Sequence, residues 1–284
     1  MFCELFGFTK QAYYKRLSYS KKSDLKYRNT RESVLILRRL MPRLGTRKLY
    51  HLLKEEGAIH IGRDKLFSML RHQGLLINRK QKYTVTTNSK HWLRKYPNLI
   101  RDIELKRPEQ LWVADITYID TLDGNVYLHL ITDAYSKKIM GYELCDNMEA
   151  ASTLKALKMA LGKRKYKSSE LIHHSDRGLQ YCSKLYTDCL KENSINISMT
   201  ENGDPYENAI AERVNGILKD EFGLYDKFEN ILQVKELTRQ SIEIYNQLRP
   251  HLSCSMLTPN QMHQQDRMKL ISFKKKKFRH LENV

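Results

Sequence analysis

Residues 171–181 read LIHHSDRGLQY, and residues 197–222 read ISMTENGDPYENAIAERVNGILKDEF. The first is a short apolar run that stops at Asp176, with Arg177 and Gly178 behind it. That is a strand giving way to a turn, where site residues collect. The second stretch crosses a turn-rich GDPYEN at 203–208 and then takes on helical periodicity. Ile210, Val214, Ile217 and Phe222 form an apolar stripe, while Asn208, Glu212, Asn215 and Lys219 fall on another side at steps of four, three and four. Thirty-five residues separate Asp176 from Glu212.

Upstream, LWVADITYID at 111–120 is β-branched and aromatic, without Gly or Pro, which suits a strand. Alternation puts Leu111, Val113, Asp115 and Thr117 on one face. A carboxylate among such neighbours is costly unless it is paired or bound to metal. Asp115, Asp176 and Glu212 are the hard oxygen ligands that magnesium takes, and two such ions about 4 Å apart can serve both the attacking and the leaving oxygen of a phosphodiester. The residues read as a metal-binding triad for phosphoryl transfer on DNA. Bland alternatives stand beside this: an Asp115 paired with Lys or Arg, an Asp176 in an ordinary turn, and a Glu212 on a solvated face.

The spacing around these segments predicts strands near 111–119, 125–132 and 138–145, a helix over 149–162, a strand at 171–175, a helix at 183–192, a strand at 195–199 and a helix over 207–222. Asp123-Gly124 signals a hairpin between the first two strands. Three antiparallel strands followed by strand–helix alternation describe an α/β core with a mixed sheet covered by helices on both faces. A further helix over 229–246 ends at Arg249-Pro250.

Charge is segregated along the 284 residues, whose formal net charge is +18. Residues 1–107 hold 26 Lys+Arg against 8 Asp+Glu, residues 108–264 hold 17 against 22, and residues 265–284 hold 7 against 2. A basic half on a mildly acidic core separates polyanion grip from chemistry. Residues 1–30 read as an N-terminal arm or partial helix-turn-helix: a turn at Gly7, a helix capped by Thr9, and a polar linker over 18–30. Residues 31–77 read as an all-α helix-turn-helix unit, with Val34, Leu35, Leu37 and Leu40 on one face, Thr46 as a cap, Gly57 as a stop, and a second helix offering Arg63, Lys65 and Arg71 to a major groove. The alternative is a helical hairpin that packs on the core and reads nothing. Residues 78–107 form a basic linker with Tyr83, Trp92 and Tyr96 and some helix near 89–95; 108–262 is the catalytic core, and 263–284 a basic tail containing FKKKKFRH.

No run approaches the roughly 18 apolar residues of a membrane span, and no signal peptide is read at the N-terminus. The five scattered cysteines, an odd number, read as reduced thiols of a cytoplasmic protein.

HSDRGLQY, SMTENGDPYENAIAERVNGILKDEF and YNQLRPHLSCSMLTP, in that order, resemble the integrase core of bacterial insertion-sequence transposases of the IS-three type, second reading frame. The resemblance runs over about residues 31–262. Glu207 departs from it, since the family often has Asp before Asn-Ala. The resemblance implies a ribonuclease-H-like fold and a DNA transposase that binds element ends, frees a 3′ hydroxyl by water attack and joins it to a second phosphodiester. It implies Asp115, Asp176 and Glu212 as both catalytic and metal-holding residues for two Mg2+ ions, with Mn2+ able to substitute. Lys219 matches the family's basic residue seven positions after the Glu and is expected at the DNA, with His174 and Arg177 as further contacts. Related integrases bind zinc through an N-terminal His-His-Cys-Cys set; only Cys3 is available here, so no zinc is expected. Expected partners are element-end and target DNA, further copies of the chain, and an upstream helix-turn-helix frame joined as a fusion; the expected place is the bacterial cytoplasm at the nucleoid. Rival readings are a ribonuclease-H-type nuclease without strand transfer and an inactive DNA-binding remnant.

Overall fold

A computed structural model describes residues 7, 9–78, 93–101, 103–201 and 208–264. The expectations for the 1–6 segment, Tyr83, Trp92, most of the 89–95 helix, nearly all of GDPYEN and the basic tail lie outside these residues.

The chain opens with helix α1 (Lys10–Leu40), capped by the Thr9 hydroxyl, which accepts from the Ala12 amide at 3.1 Å. Gly7 lies in the turn before it at φ 68°. The cap is as expected, but the polar linker over 18–30 is not: the helix runs through it without a break. The reason is local. Neither Gly nor Pro interrupts that stretch, so the helix begun at the Thr9 cap runs on through its Ser, Tyr and Asn residues, helped by Lys21, Lys22, Leu25, Lys26 and Arg28, to the part that packs from Tyr27 onward. Two shorter helices follow, α2 (Thr46–Glu55) and α3 (Arg63–His72). Gly57 stops α2 at φ 67°. Gly45, not Thr46, is the N-cap of α2, and Thr46 is its first residue. Residues 56–62 join α2 to α3, longer than the three or so residues of a helix-turn-helix turn. Val34 and Leu37 are buried as expected, but Leu40 is 41 % exposed and Met41 takes the inward place where the helix ends.

The core is a five-stranded mixed sheet in the order β3-β2-β1-β4-β5. Its strands are β1 (Leu111–Thr121), β2 (Gly124–Asp133), β3 (Ile139–Cys145), β4 (Ile172–Ser175) and β5 (Asn196–Met199). The first three pair antiparallel; β4 joins β1 in parallel and β5 joins β4 in parallel. The hairpin turn expected at Asp123-Gly124 is there, with Gly124 at φ 117°, a conformation that suits glycine. The connecting helices are α4 (Ala150–Gly162), the single turn α5 (Leu179–Cys182), α6 (Lys184–Glu192), α7 (Ala209–Glu221), α8 (Ile231–Leu248) and α9 (Pro259–His263). Helix α4 presses so close on β3 that a Cβ on Gly141 would meet the Ala156 carbonyl oxygen at 2.1 Å.

Alternation along β1 divides the core. Trp112 and Ala114 face α4 and α6, with Leu157, Tyr186 and Leu190. On the opposite face Leu111 and Val113 meet Ala211 of α7, and Ile119 meets Val214, Ile217 and Leu218. The same cluster continues into Leu37, Met41, Leu49, Leu53, Leu66 and Leu70, so the helical unit is seated on the catalytic core through α7. Cys145, Cys182, Cys189 and Cys254 are free thiols.

Candidate active site

The β1–β4 pairing sets Leu111 opposite Ile172, Trp112 opposite His173 and Val113 opposite His174. Carried two residues further, that register brings Asp115 level with Asp176, one residue past the end of β4. Adjacent strands run about 4.8 Å apart, so the two carboxylates are neighbours. Their mutual repulsion is visible in the acidity of Asp115. Burial, then the Asp176 charge, then more weakly Glu212 raise its pKa to about 7, against hydrogen bonds that favour the anion.

Those hydrogen bonds fix the carboxylate. Asp115 Oδ1 accepts from the Ile116 amide at 2.9 Å, and Oδ2 accepts from Asn215 Nδ2 of α7 at 2.7 Å. Asn208, just before α7, donates to the Ala114 carbonyl at 3.1 Å. Both asparagines are buried, at 5 % and 6 % exposure. The face shared by Asn208, Glu212, Asn215 and Lys219 is therefore not wholly solvated: its two asparagines tie α7 to β1, while Glu212 is exposed. Neither asparagine was among the expected site residues, though their helical register with Glu212 was the available signal. Asp176 Oδ1 accepts from the Gly178 amide at 3.0 Å, which bends the chain away after β4.

Glu212 sits in the first turn of α7, exposed, with its acidity weakened by partial burial. It faces Asp115 electrostatically but stands off: among the described residues no three Asp, Glu, His or Cys side chains are close enough to share one ion. The donor set nonetheless fits a hydrated hard cation. Two neighbouring carboxylates repel, and the Asn208 and Asn215 Oδ1 atoms and the Tyr181 hydroxyl are buried without a hydrogen-bond partner among the described residues. Tyr181, on α5, is 2 % exposed and its phenol is held far above its usual acidity range by burial and by the Asp176 charge. It too was missed from the sequence, where Tyr181 reads only as the end of LIHHSDRGLQY.

Lys219 does lie on the Glu212 side of α7, with its ammonium 4.3 Å from the Tyr118 ring centroid and 5.5 Å from that of Tyr225. Burial eases its proton off, while Asp120 and Asp115 oppose that. His174 is corrected. It is fully buried in β4, with Nδ1 on the Ser198 hydroxyl at 2.8 Å, so it offers no surface to DNA. A parallel strand covered on both faces buries alternate side chains whatever their polarity. Arg177 is half-buried beside Asp176. Arg63, Lys65 and Arg71 are exposed on α3, far along the chain from the carboxylates, and Arg63 pairs with Asp64 at 2.9 Å.

Two family models, each described as an integrase core domain, match residues 106–205 and 193–259. The transposase for insertion sequence element IS629 of Shigella sonnei is 35% identical over 205 residues, covering 72% of this chain and 68% of that one. The chain belongs to the insertion-sequence transposases with an integrase core. A 31 kDa protein of insertion element IS600 of Shigella sonnei is 36% identical over 262 residues, covering 90% of this transposase and 95% of the relative. Transposase InsF for insertion sequence IS3A of Escherichia coli K12 is 34% identical over 194 residues, covering 68% and 67%. Among solved structures, the HTLV-2 integrase catalytic core in complex with magnesium matches 55% of this chain and 97% of its own, at 20% identity and TM-score 0.43. A simian T-cell lymphotropic virus intasome in complex with a PP2A regulatory subunit matches 84% and 76%, at 17% identity and TM-score 0.49. The sheet order and connections of this transposase are those of the ribonuclease-H-like fold. Among its described residues no helix is long and apolar enough to cross a membrane.

Proposed function

We propose that this transposase cuts and joins DNA at the ends of its own element by two-metal polynucleotidyl transfer, with Asp115, Asp176 and Glu212 as the metal-holding carboxylates. The observation that carries the reading is the parallel register that brings Asp115 level with Asp176, where burial first and the Asp176 charge second raise the pKa of Asp115 to about 7. A pair of repelling carboxylates in a half-buried site is stabilised when a divalent cation replaces the proton. Magnesium, or manganese in its place, would supply there the activation of an attacking oxygen and the neutralisation of a leaving one.

The chain's own residues prepare that site. Asn215 fixes the Asp115 carboxylate from α7, and Asn208 holds the start of α7 to β1. Glu212, in the first turn of α7, would complete the set. Lys219, held upright by Tyr118 and Tyr225, meets a phosphate of the element end, with Arg177 beside the Asp176 turn. Residues 1–107 grip DNA and residues 108–262 carry the chemistry. Several copies assemble on the ends, alone or fused to an upstream helix-turn-helix frame.

Purified chain incubated with an end-bearing duplex and magnesium tests this. Nicked ends covalently joined to target DNA are expected. Cleavage that never leads to joining would make it a nuclease; metal-independent binding without nicking would make it a binding remnant.

A further inference from the structure

Helix α1 is half unpartnered. Described side chains from Thr9 to Lys26 are exposed, and the helix meets the rest of the protein only from Tyr27 onward. Its exposed part keeps large side chains in water, with Tyr14 65 %, Tyr19 72 % and Leu25 57 % exposed. Between residues 10 and 31 it carries eight Lys or Arg against the single acid Asp24. Among the described residues none of these eight is in an ion pair.

Six of the eight cations fall in two rows; Arg16 and Arg31 lie off both, and Glu32, one residue past this range, falls on the arc between them. At about 100° per residue, with Lys10 at 0°, Lys21 and Arg28 fall within about 20° of it, while Lys15, Lys22 and Lys26 cluster near 140°. On the arc between the two rows lie Gln11, Tyr14, Ser18, Leu25 and Asn29, all exposed. Asp24 lies outside that arc. The pattern is a ribbon of hydrogen-bonding and apolar side chains edged by two parallel rows of positive charge. A helix of about 10–12 Å diameter fills a B-DNA major groove about 12 Å wide, with a phosphate strand on either wall.

Resting on the reading of the chain as a DNA-joining enzyme, we propose that the exposed half of α1 lies in the major groove of duplex DNA, each cation row on one phosphate strand and the Gln11–Asn29 ribbon toward the base edges. A second copy of the helix is a poor occupant, because two such charged surfaces repel and the apolar side chains make no heptad seam. Duplex RNA is poor too, its major groove being too narrow for a helix.

The test uses the full chain and a random-sequence DNA duplex, with binding measured across a salt series. One variant carries Lys10→Gln, Lys21→Gln and Arg28→Gln, another Lys15→Gln, Lys22→Gln and Lys26→Gln; glutamine keeps helix propensity and removes charge. Each row holds three cations, so each variant should flatten the slope of log affinity against log salt by about 2.7. Circular dichroism should be unchanged, binding to duplex RNA should not respond, and Tyr13→Ala with Ser20→Ala, both exposed and outside the two rows, should leave the slope alone. An unchanged slope in both row variants overturns the proposal, as does loss of self-association in place of DNA affinity. If the wild-type chain neither binds nor joins DNA, the functional reading fails as well; if it joins DNA while both rows are dispensable, only the groove assignment fails.

Discussion

Arg249 grips Glu221 in a buried two-pronged pair, Nε to Oε2 at 2.8 Å and Nη2 to Oε1 at 2.7 Å. Glu221 closes α7, the helix that bears Glu212, and Arg249 follows α8. Lys48 of α2 adds a third bond to Glu221 Oε1 at 2.8 Å, which pins the N-terminal helical unit to the same carboxylate. Burial and the Arg249 charge lower the Lys48 ammonium to about 8, against the pull of Glu221. The opposite end of Arg249 donates from Nη1 to His251 Nε2 at 2.8 Å, which requires the neutral imidazole; burial and the surrounding cations hold His251 down to about 2.

Removing Arg249 should therefore be costly. Arg249→Ala leaves Glu221 buried with Lys48 alone, and breaking a buried pair in this way costs about 3–5 kcal/mol. Lys48→Ala, which leaves the two-pronged pair intact, should cost less. Urea unfolding of both variants checks the order, and an Arg249→Ala loss no larger than that of Lys48→Ala would show that the pair does not hold α7 in place.

Asp115→Asn, Asp176→Asn and Glu212→Gln should each abolish cleavage and joining while leaving DNA affinity within about twofold, because each keeps shape and removes a metal-binding charge. Strand-transfer assays beside binding curves decide it. Substantial turnover in a purified Glu212→Gln enzyme would remove that residue, the one standing apart from the other two, from the set.

Asp115 also sets a pH dependence. In the folded chain its proton stays on to about pH 7, against 3.8 for the ordinary carboxyl. Between those values the folded state binds more protons than the unfolded one, so this group's contribution makes metal-free stability fall as pH rises. Asp115→Asn should remove that slope and raise the melting temperature in chelator at pH 7 by a few degrees. Magnesium must displace the proton, so wild-type metal affinity should climb from pH 5.5 to 7 and level off above. A metal-free melting temperature that rises over that window in the wild type, and equally in Asp115→Asn, would mean that the carboxylates do not repel.

The strand around Asp115 was legible from its β-branched and aromatic residues and the α7 stripe from its helical spacing, so Asp115 and the Glu212 face could be placed by counting. What counting could not supply was partnership across the fold. Asn215 and Glu212 look alike on a helical wheel, yet one bonds Asp115 and the other is exposed. His174 near a candidate acid suggested a contact surface, but β4 lies inside a sheet covered on both faces and His174 is fully buried there. The α1 helix through 18–30 was missed because polar sequence was equated with linker, although neither Gly nor Pro breaks it between the Thr9 cap and the packed part beyond Tyr27. Glu221 and Arg249, 28 positions apart, gave no local signal of pairing.

Lys219 offers the sharpest test of how α7 divides its labour. Its ammonium sits over two aromatic rings and also feels Asp120 and Asp115, and an ammonium has no lone pair to give a metal. A cation over an aromatic face gains about 0.5–2 kcal/mol, enough to favour one orientation of a long, flexible side chain. Lys219→Ala should then raise the DNA concentration needed for half-maximal cleavage by about tenfold, with the magnesium dependence unmoved. Tyr118→Leu, which keeps the charge but frees the side chain, should give a smaller loss in the same direction. Lys219→Arg should retain most activity if charge alone matters, and less if a compact ammonium is needed between the rings. Cleavage rates across a grid of DNA and magnesium concentrations separate the two dependences. A Lys219→Ala enzyme with normal DNA dependence and a raised magnesium requirement would place this lysine among the groups that shape the carboxylate site and remove it from the DNA contacts.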